Sequence, residues 1–79
     1  MNVEVKLFFD FTEFYPEGCD KKKALISLEE DATVQALVDI LKLPPEVPKN
    51  ILVNGIKAGS ETRLKENDSV AIFPPMAGG

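Results

Sequence analysis

From residue 3 the chain alternates. Val3, Val5, Leu7, Phe9 and Phe11 are apolar, and Glu4, Lys6 and Asp10 between them are charged, with Phe8 the one exception. Period two over nine residues marks a strand with one buried face. Such a strand cannot stand alone. It needs sheet neighbours and an apolar layer to lie on, and the rest of a 79-residue chain must supply both. Residues 12–22, with Pro16, Gly18 and several charges, read as a loop. Ala24, Ile26 and Leu28 then alternate with Leu25, Ser27 and Glu29. This second strand is expected to pair antiparallel with the first.

The period then changes. Val34, Leu37, Val38 and Leu41 fall at i, i+3, i+4 and i+7, the apolar stripe of an amphipathic helix. Thr33 is placed to cap it, with Asp31 upstream near the positive helix end. Pro44-Pro45 is expected to stop it at about Leu43, because the residue before a proline avoids helical backbone. Residues 50–53 are a short apolar run, and Asn54-Gly55 is a strong two-residue hairpin signal leading into Ile56-Lys57. Leu64 is a lone apolar anchor in the polar stretch that follows, Lys65-Glu66-Asn67-Asp68 reads as a turn, and residues 70–73 form a last strand. One helix on a small mixed sheet of four to five strands is an α+β arrangement. Placing the first and last strands side by side, parallel, in the middle makes it a β-grasp, or ubiquitin-like, fold by analogy. One domain over 1–73, followed by an extended, flexible tail over 74–79, is the expected organisation.

Composition removes several functions. There is no histidine, so the commonest general base and metal ligand is missing. One cysteine allows neither an internal disulfide nor a cysteine-rich zinc cluster. Nine basic residues against thirteen acidic ones give a net charge of −4, without the positive footprint of a nucleic-acid binder. No apolar run approaches the roughly 20 residues of a membrane span, and no signal peptide is visible at the N-terminus. A cytoplasmic protein with no nucleic-acid or membrane partner is expected, with no metal site and no cofactor bound by the chain itself.

The candidate chemical groups are few. Cys19 stands in a loop before Lys21-Lys22-Lys23. Lysines lower a thiol's pKa, but with no histidine to serve as base and Asp20 adjacent, an ordinary loop cysteine is the favoured reading. The lysine run reads as a solvated edge that discourages strand pairing, and Glu29-Glu30-Asp31 as acids near a helix start rather than as ion ligands. Phe8 and Phe73 differ, because the alternation of their own strands puts them opposite the core. Ala71 shares that outer face. If the first and last strands are neighbours, these three form an exposed apolar patch, and a contiguous patch suggests a partner site.

The chain ends Phe73-Pro74-Pro75-Met76-Ala77-Gly78-Gly79. Neither proline can continue a strand ladder. The glycines leave a thread slim enough for a narrow channel and a terminal carbonyl with nothing to shield it. Six residues reach up to about 20 Å from the body. A frayed terminus is the plain alternative.

This ending resembles the Phe-Pro-Pro-x-x-Gly-Gly ending of MoaD within the MoaD/ThiS family of ubiquitin-like sulfur carriers. Looser matches are Val5-Lys6-Leu7-Phe8-Phe9, Thr33-Val34 with Leu37, Val53-Asn54-Gly55, and Leu64-Lys65-Glu66-Asn67-Asp68. The resemblance implies that Gly79 is the reacting residue. Its carboxylate is adenylated by an ATP-using partner of the MoeB/ThiF kind and is converted to a thiocarboxylate by a sulfur donor. Gly78, Ala77, Met76, Pro75 and Pro74 form the inserting tail. In the MoaD case a MoaE-type large subunit receives the tail, and sulfur passes to the molybdopterin precursor. The resemblance leaves open a ThiS-type carrier for thiamine or tRNA thiolation and a ubiquitin-like modifier conjugated through Gly79. A plain interaction domain with an inert tail is a further alternative. The chain has no glycine-rich phosphate loop of its own.

Overall fold

The computed structural model describes residues 1–16, 23–44 and 46–75. Five strands, β1 (Asn2–Leu7), β2 (Ala24–Ser27), β3 (Asn50–Val53), β4 (Ile56–Lys57) and β5 (Ser69–Phe73), form one sheet. One helix, α1 (Val34–Leu41), lies between β2 and β3 in sequence. The strand order is β2-β1-β5-β3-β4. β1 and β5 are parallel neighbours at the centre, with Val5 beside Val70 and Leu7 beside Ile72. β2 flanks β1 antiparallel, β3 flanks β5 antiparallel, and β4 returns along β3. This is the α+β arrangement expected from the periodicity, with the β-grasp strand order expected by analogy.

The alternation decides the core. Val3, Val5 and Leu7 of β1, Val70 and Ile72 of β5, Ala24 and Ile26 of β2 and Ile51 of β3 face one side and are buried. Val34, Leu37, Val38 and Leu41 of α1 cover them. Leu37 is wholly enclosed, and burying a leucine this completely contributes about 1.5–3 kcal/mol. Leu64, the lone apolar residue of its loop, closes the layer. Thr33 caps α1, its hydroxyl accepting a hydrogen bond from the Ala36 N–H at 3.3 Å.

The hairpin signal is also realised. Asn54 and Gly55 both have positive φ, +52° and +83°, as the two-residue turn that matches strand twist requires. Asn54 then braces the sheet. Its side-chain oxygen accepts from the Ser69 N–H, and its amide donates to Asp68 Oδ1, both at 2.9 Å. Asp68 in turn accepts from the Lys65 N–H at 2.7 Å, which closes the turn into β5.

Two expectations are corrected. The first strand does not run to residue 11. β1 stops at Leu7, and Phe9–Phe14 form a 3₁₀ helix. Phe9 adopts φ +56°, which breaks the extended path, so Phe9 is exposed while Phe11 reaches the core from the helical segment. Among the described residues, Val5 beside Ala24 is the last β1–β2 pair. Beyond it the Tyr15 hydroxyl takes the strand's place, accepting from the Leu7 N–H at 2.8 Å and donating to the Leu7 carbonyl at 3.3 Å. Residues 12–14, read as loop, therefore belong to the 3₁₀ helix.

The second correction is the end of α1. The helix finishes at Leu41 rather than about Leu43. Lys42 takes the left-handed conformation at φ +60°. Its N–H bonds the Asp39 carbonyl, and the Leu43 N–H bonds the Val38 carbonyl. This is a Schellman closure, with buried Leu43 and Val38 forming its hydrophobic contact. The turn of the backbone at Lys42, not the following prolines, ends the helix.

Candidate functional site

The open side of the sheet, opposite α1, carries the outward residues of each strand. The register Leu7 beside Ile72 sets Phe8 next to Phe73. The Phe8 N–H donates to the Ile72 carbonyl at 3.1 Å, holding the end of β1 against β5. The two rings meet edge to face, with centroids 6.5 Å apart and planes at 82°. This geometry is favourable because the positive edge of one ring meets the negative face of the other. Phe8 is 40% exposed, and Phe73 and Ala71 are half-buried. The structure therefore brings Phe8, Ala71 and Phe73 together as one apolar surface.

Sequence reasoning missed two neighbours of that surface. Leu52 pairs with Ala71 across β3 and β5 and extends the outer face. The only signal was an unbroken apolar run at 51–53, in which one residue must point away from the core. Phe9, 60% exposed, follows Phe8 directly. Two adjacent aromatics in an alternating strand were the available hint.

β5 ends at Phe73, so Pro74 and Pro75 leave the sheet beside this patch, Pro74 half-buried and Pro75 exposed. Met76, Ala77, Gly78 and Gly79 lie outside the described residues, as do Cys19, Lys21 and Lys22. Lys23 is exposed at the start of β2.

Among the described residues no group of three or more histidine, cysteine, aspartate or glutamate side chains is placed to hold a metal ion. No helix of theirs is long and apolar enough to cross a membrane. A cavity of about 310 Å³ opens on the helix side between α1 and β3. Its one charged lining residue, Lys49, already donates to the Pro44 and Val47 carbonyls at 2.9 and 2.7 Å. The described residues thus offer one exposed apolar sheet face next to Pro74 and Pro75, where the chain leaves the sheet.

Known proteins give the same picture. The model of the ThiS family matches residues 6–79. No curated protein matches the chain. Among solved structures, the small archaeal modifier protein 1 of H. volcanii superposes with a TM-score of 0.76 at 28% identity, over 95% of this chain and 98% of that one. A Pyrococcus furiosus protein assigned as molybdopterin converting factor subunit 1 gives 0.77 at 30% identity, over 95% and 98%. Subunit 1 in a complex of subunits 1 and 2 of molybdopterin-converting factor from Helicobacter pylori gives 0.66 at 24% identity over the whole of both chains, a likeness of fold. With a family match across nearly its whole length and a β-grasp sheet that ends in the Phe-Pro-Pro strand terminus, the chain belongs to the ThiS family of ubiquitin-like sulfur carriers.

Proposed function

We propose that this carrier is the small subunit of a molybdopterin-synthase-type assembly, with Gly79 as its reacting residue. The observation that carries this reading is the place where the tail departs. Pro74-Pro75 leaves the central strand directly beside the Phe8–Phe73 pair, so one face can dock while the tail reaches into a partner's site. The similarity to the Pyrococcus furiosus subunit 1 supports the same assignment. The Gly79 carboxylate oxygen attacks the α-phosphorus of ATP on a MoeB/ThiF-type partner and releases pyrophosphate. A donor delivering sulfur at the sulfide oxidation level then displaces AMP from the acyl-adenylate, leaving a thiocarboxylate. A MoaE-type subunit receives the charged tail. The chain itself binds no cofactor in this scheme, and the setting is cytoplasmic.

The test is ATP–pyrophosphate exchange with the activating enzyme from the same genome, on wild type, a Gly79 deletion and a one-residue extension. Deletion withdraws the carboxylate by about 3.5 Å, far more than catalytic positioning tolerates. Both variants are expected to lose exchange while unfolding at the wild-type midpoint. Wild-type rates in either would refute the assignment of Gly79. After the full reaction, intact mass should show one oxygen replaced by sulfur.

A second reading has its own support. Similarity to a small archaeal modifier protein favours conjugation of Gly79 to lysines of other proteins. High-mass adducts in the native host that disappear on deleting Gly79 would identify that use.

A further inference from the structure

The charges of this acidic chain are not spread evenly over its surfaces. Thirteen acidic residues outnumber nine basic ones, yet among the outward positions of the five strands Glu4 is the only acid. Lys6 and Lys57 are the two bases there, and both are exposed. The register places them deliberately far apart in sequence and on one line in space. Lys6 lies beside Ala71, Ala71 beside Leu52, and Leu52 beside Lys57. A single row across four strands therefore reads lysine, alanine, leucine, lysine, next to the Phe8–Phe73 row. Strands lie about 4.8 Å apart, so the two lysine backbones stand roughly 14 Å from each other, with an apolar centre between them.

We propose that Lys6 and Lys57 select the partner that docks on this face, and that the partner's surface is an apolar centre flanked by carboxylates. The proposal rests on the reading of this face as the docking surface and names its occupant as the adenylating enzyme. Charge complementarity is the argument. The apolar row supplies contact area but little discrimination, since any apolar patch can cover it. Two cations at a fixed spacing penalise a partner that brings basic or neutral groups to the same points. They also accelerate encounter with an acidic surface. The rest of the chain, being acidic, repels such a partner and biases it toward this face. Glu4 adjoins Lys6 on β1 and weakens its field without cancelling the pair.

The experiment is ATP–pyrophosphate exchange by the adenylating enzyme of the same genome, titrated with carrier from low to high sodium chloride. The variants are the double substitution Lys6→Gln with Lys57→Gln, and Lys42→Glu, exposed after α1 on the opposite side of the sheet, as a control with the same change of net charge. Thermal unfolding checks that each is folded. For wild type, the carrier KM should rise as salt increases. In the double variant, KM at low salt should rise about tenfold or more, kcat should stay within about twofold, and the salt dependence should flatten or reverse. The control should follow wild type. A double-variant KM like that of wild type would overturn the proposal, as would a rise of the same size at every salt concentration or an equal rise in the control. Absence of exchange with wild type itself would instead overturn the underlying carrier reading.

Discussion

Removing one oxygen atom from Tyr15 should destabilise this domain more than most surface substitutions. The Tyr15 hydroxyl is buried and serves both hydrogen-bonding groups of Leu7, accepting from its N–H and donating to its carbonyl. Tyr15→Phe keeps the ring packing and deletes both bonds. The two backbone groups of Leu7, a residue only 3% exposed, are then left without the Tyr15 partner. Leaving a buried donor or acceptor unsatisfied costs about 1–3 kcal/mol. The carbonyl, bonded at the longer distance, adds less than the N–H. A total of about 2 kcal/mol is expected, equivalent to a fall of roughly 8–16 °C in midpoint for a domain of this size. Thermal unfolding followed by circular dichroism measures it, and urea titration supplies an independent free energy. The Phe8–Phe73 contact lies on the opposite face of β1, so partner affinity measured well below the new midpoint should change little. A loss under about 0.5 kcal/mol, the range of ordinary surface changes, would show that Tyr15 does not close the strand edge.

The remaining predictions concern the patch and the positive-φ positions. Phe73→Asp should leave a folded protein whose midpoint drops modestly, since the edge-to-face contact is worth about 0.5–1.5 kcal/mol beyond area; titration with the adenylating enzyme should show a much larger loss of affinity, and a variant that simply unfolds would refute the outward placement. Phe9→Asn should raise stability by about 1 kcal/mol, because asparagine tolerates the left-handed backbone that phenylalanine holds at φ +56°, while weakening partner binding if the exposed ring is used. Lys42→Gly should likewise raise the unfolding free energy by about 1 kcal/mol, read as a higher urea midpoint, at the left-handed residue that closes α1; an unchanged midpoint would argue against strain at that position.

Much of the architecture was legible because its signals are local. Alternation in β1 and β2, the helical stripe from Val34 to Leu41, the Thr33 cap and the Asn54-Gly55 turn each depend on residues a few positions apart. Errors arose where a tertiary contact overrides a local pattern. Phe9 and Phe11 continue the period of β1, but among the described residues the strand has no backbone partner beyond Ala24 on that side, and a tyrosine eight residues along the chain from Leu7 bonds both its backbone groups. No local pattern announces that a side chain will replace a strand. The end of α1 was displaced for a similar reason: Lys42 adopts a conformation usually left to glycine, and the more conspicuous prolines drew the boundary. For the candidate site, Phe8, Ala71 and Phe73 were recoverable from parity alone once β1 and β5 were taken as neighbours. Leu52 and the Lys6–Lys57 row were not, because they require the register between four strands, which parity does not specify.

The parallel pairing at the centre of the sheet has a direct bearing on how a carrier of this kind works. Because β1 and β5 run the same way, their C-terminal ends coincide, and Phe8 and Phe73 meet where the chain leaves the sheet. An antiparallel pair would have put those ends at opposite edges, separating the proposed docking surface from the proposed reacting segment. Pro74 and Pro75 sharpen the arrangement. They offer no N–H to extend the ladder, and their fixed φ favours an extended path at about 3.1 Å per residue. A partner that grips the patch thereby receives the following residues at a restricted distance and direction. Once docking has occurred, delivery of the tail is intramolecular, and a short stiff spacer keeps its effective concentration high. On the proposed reading, specificity and chemistry reside in different residues: the outer sheet face selects who binds, and the two glycines that end the tail present an unshielded carbonyl to whichever partner has been selected.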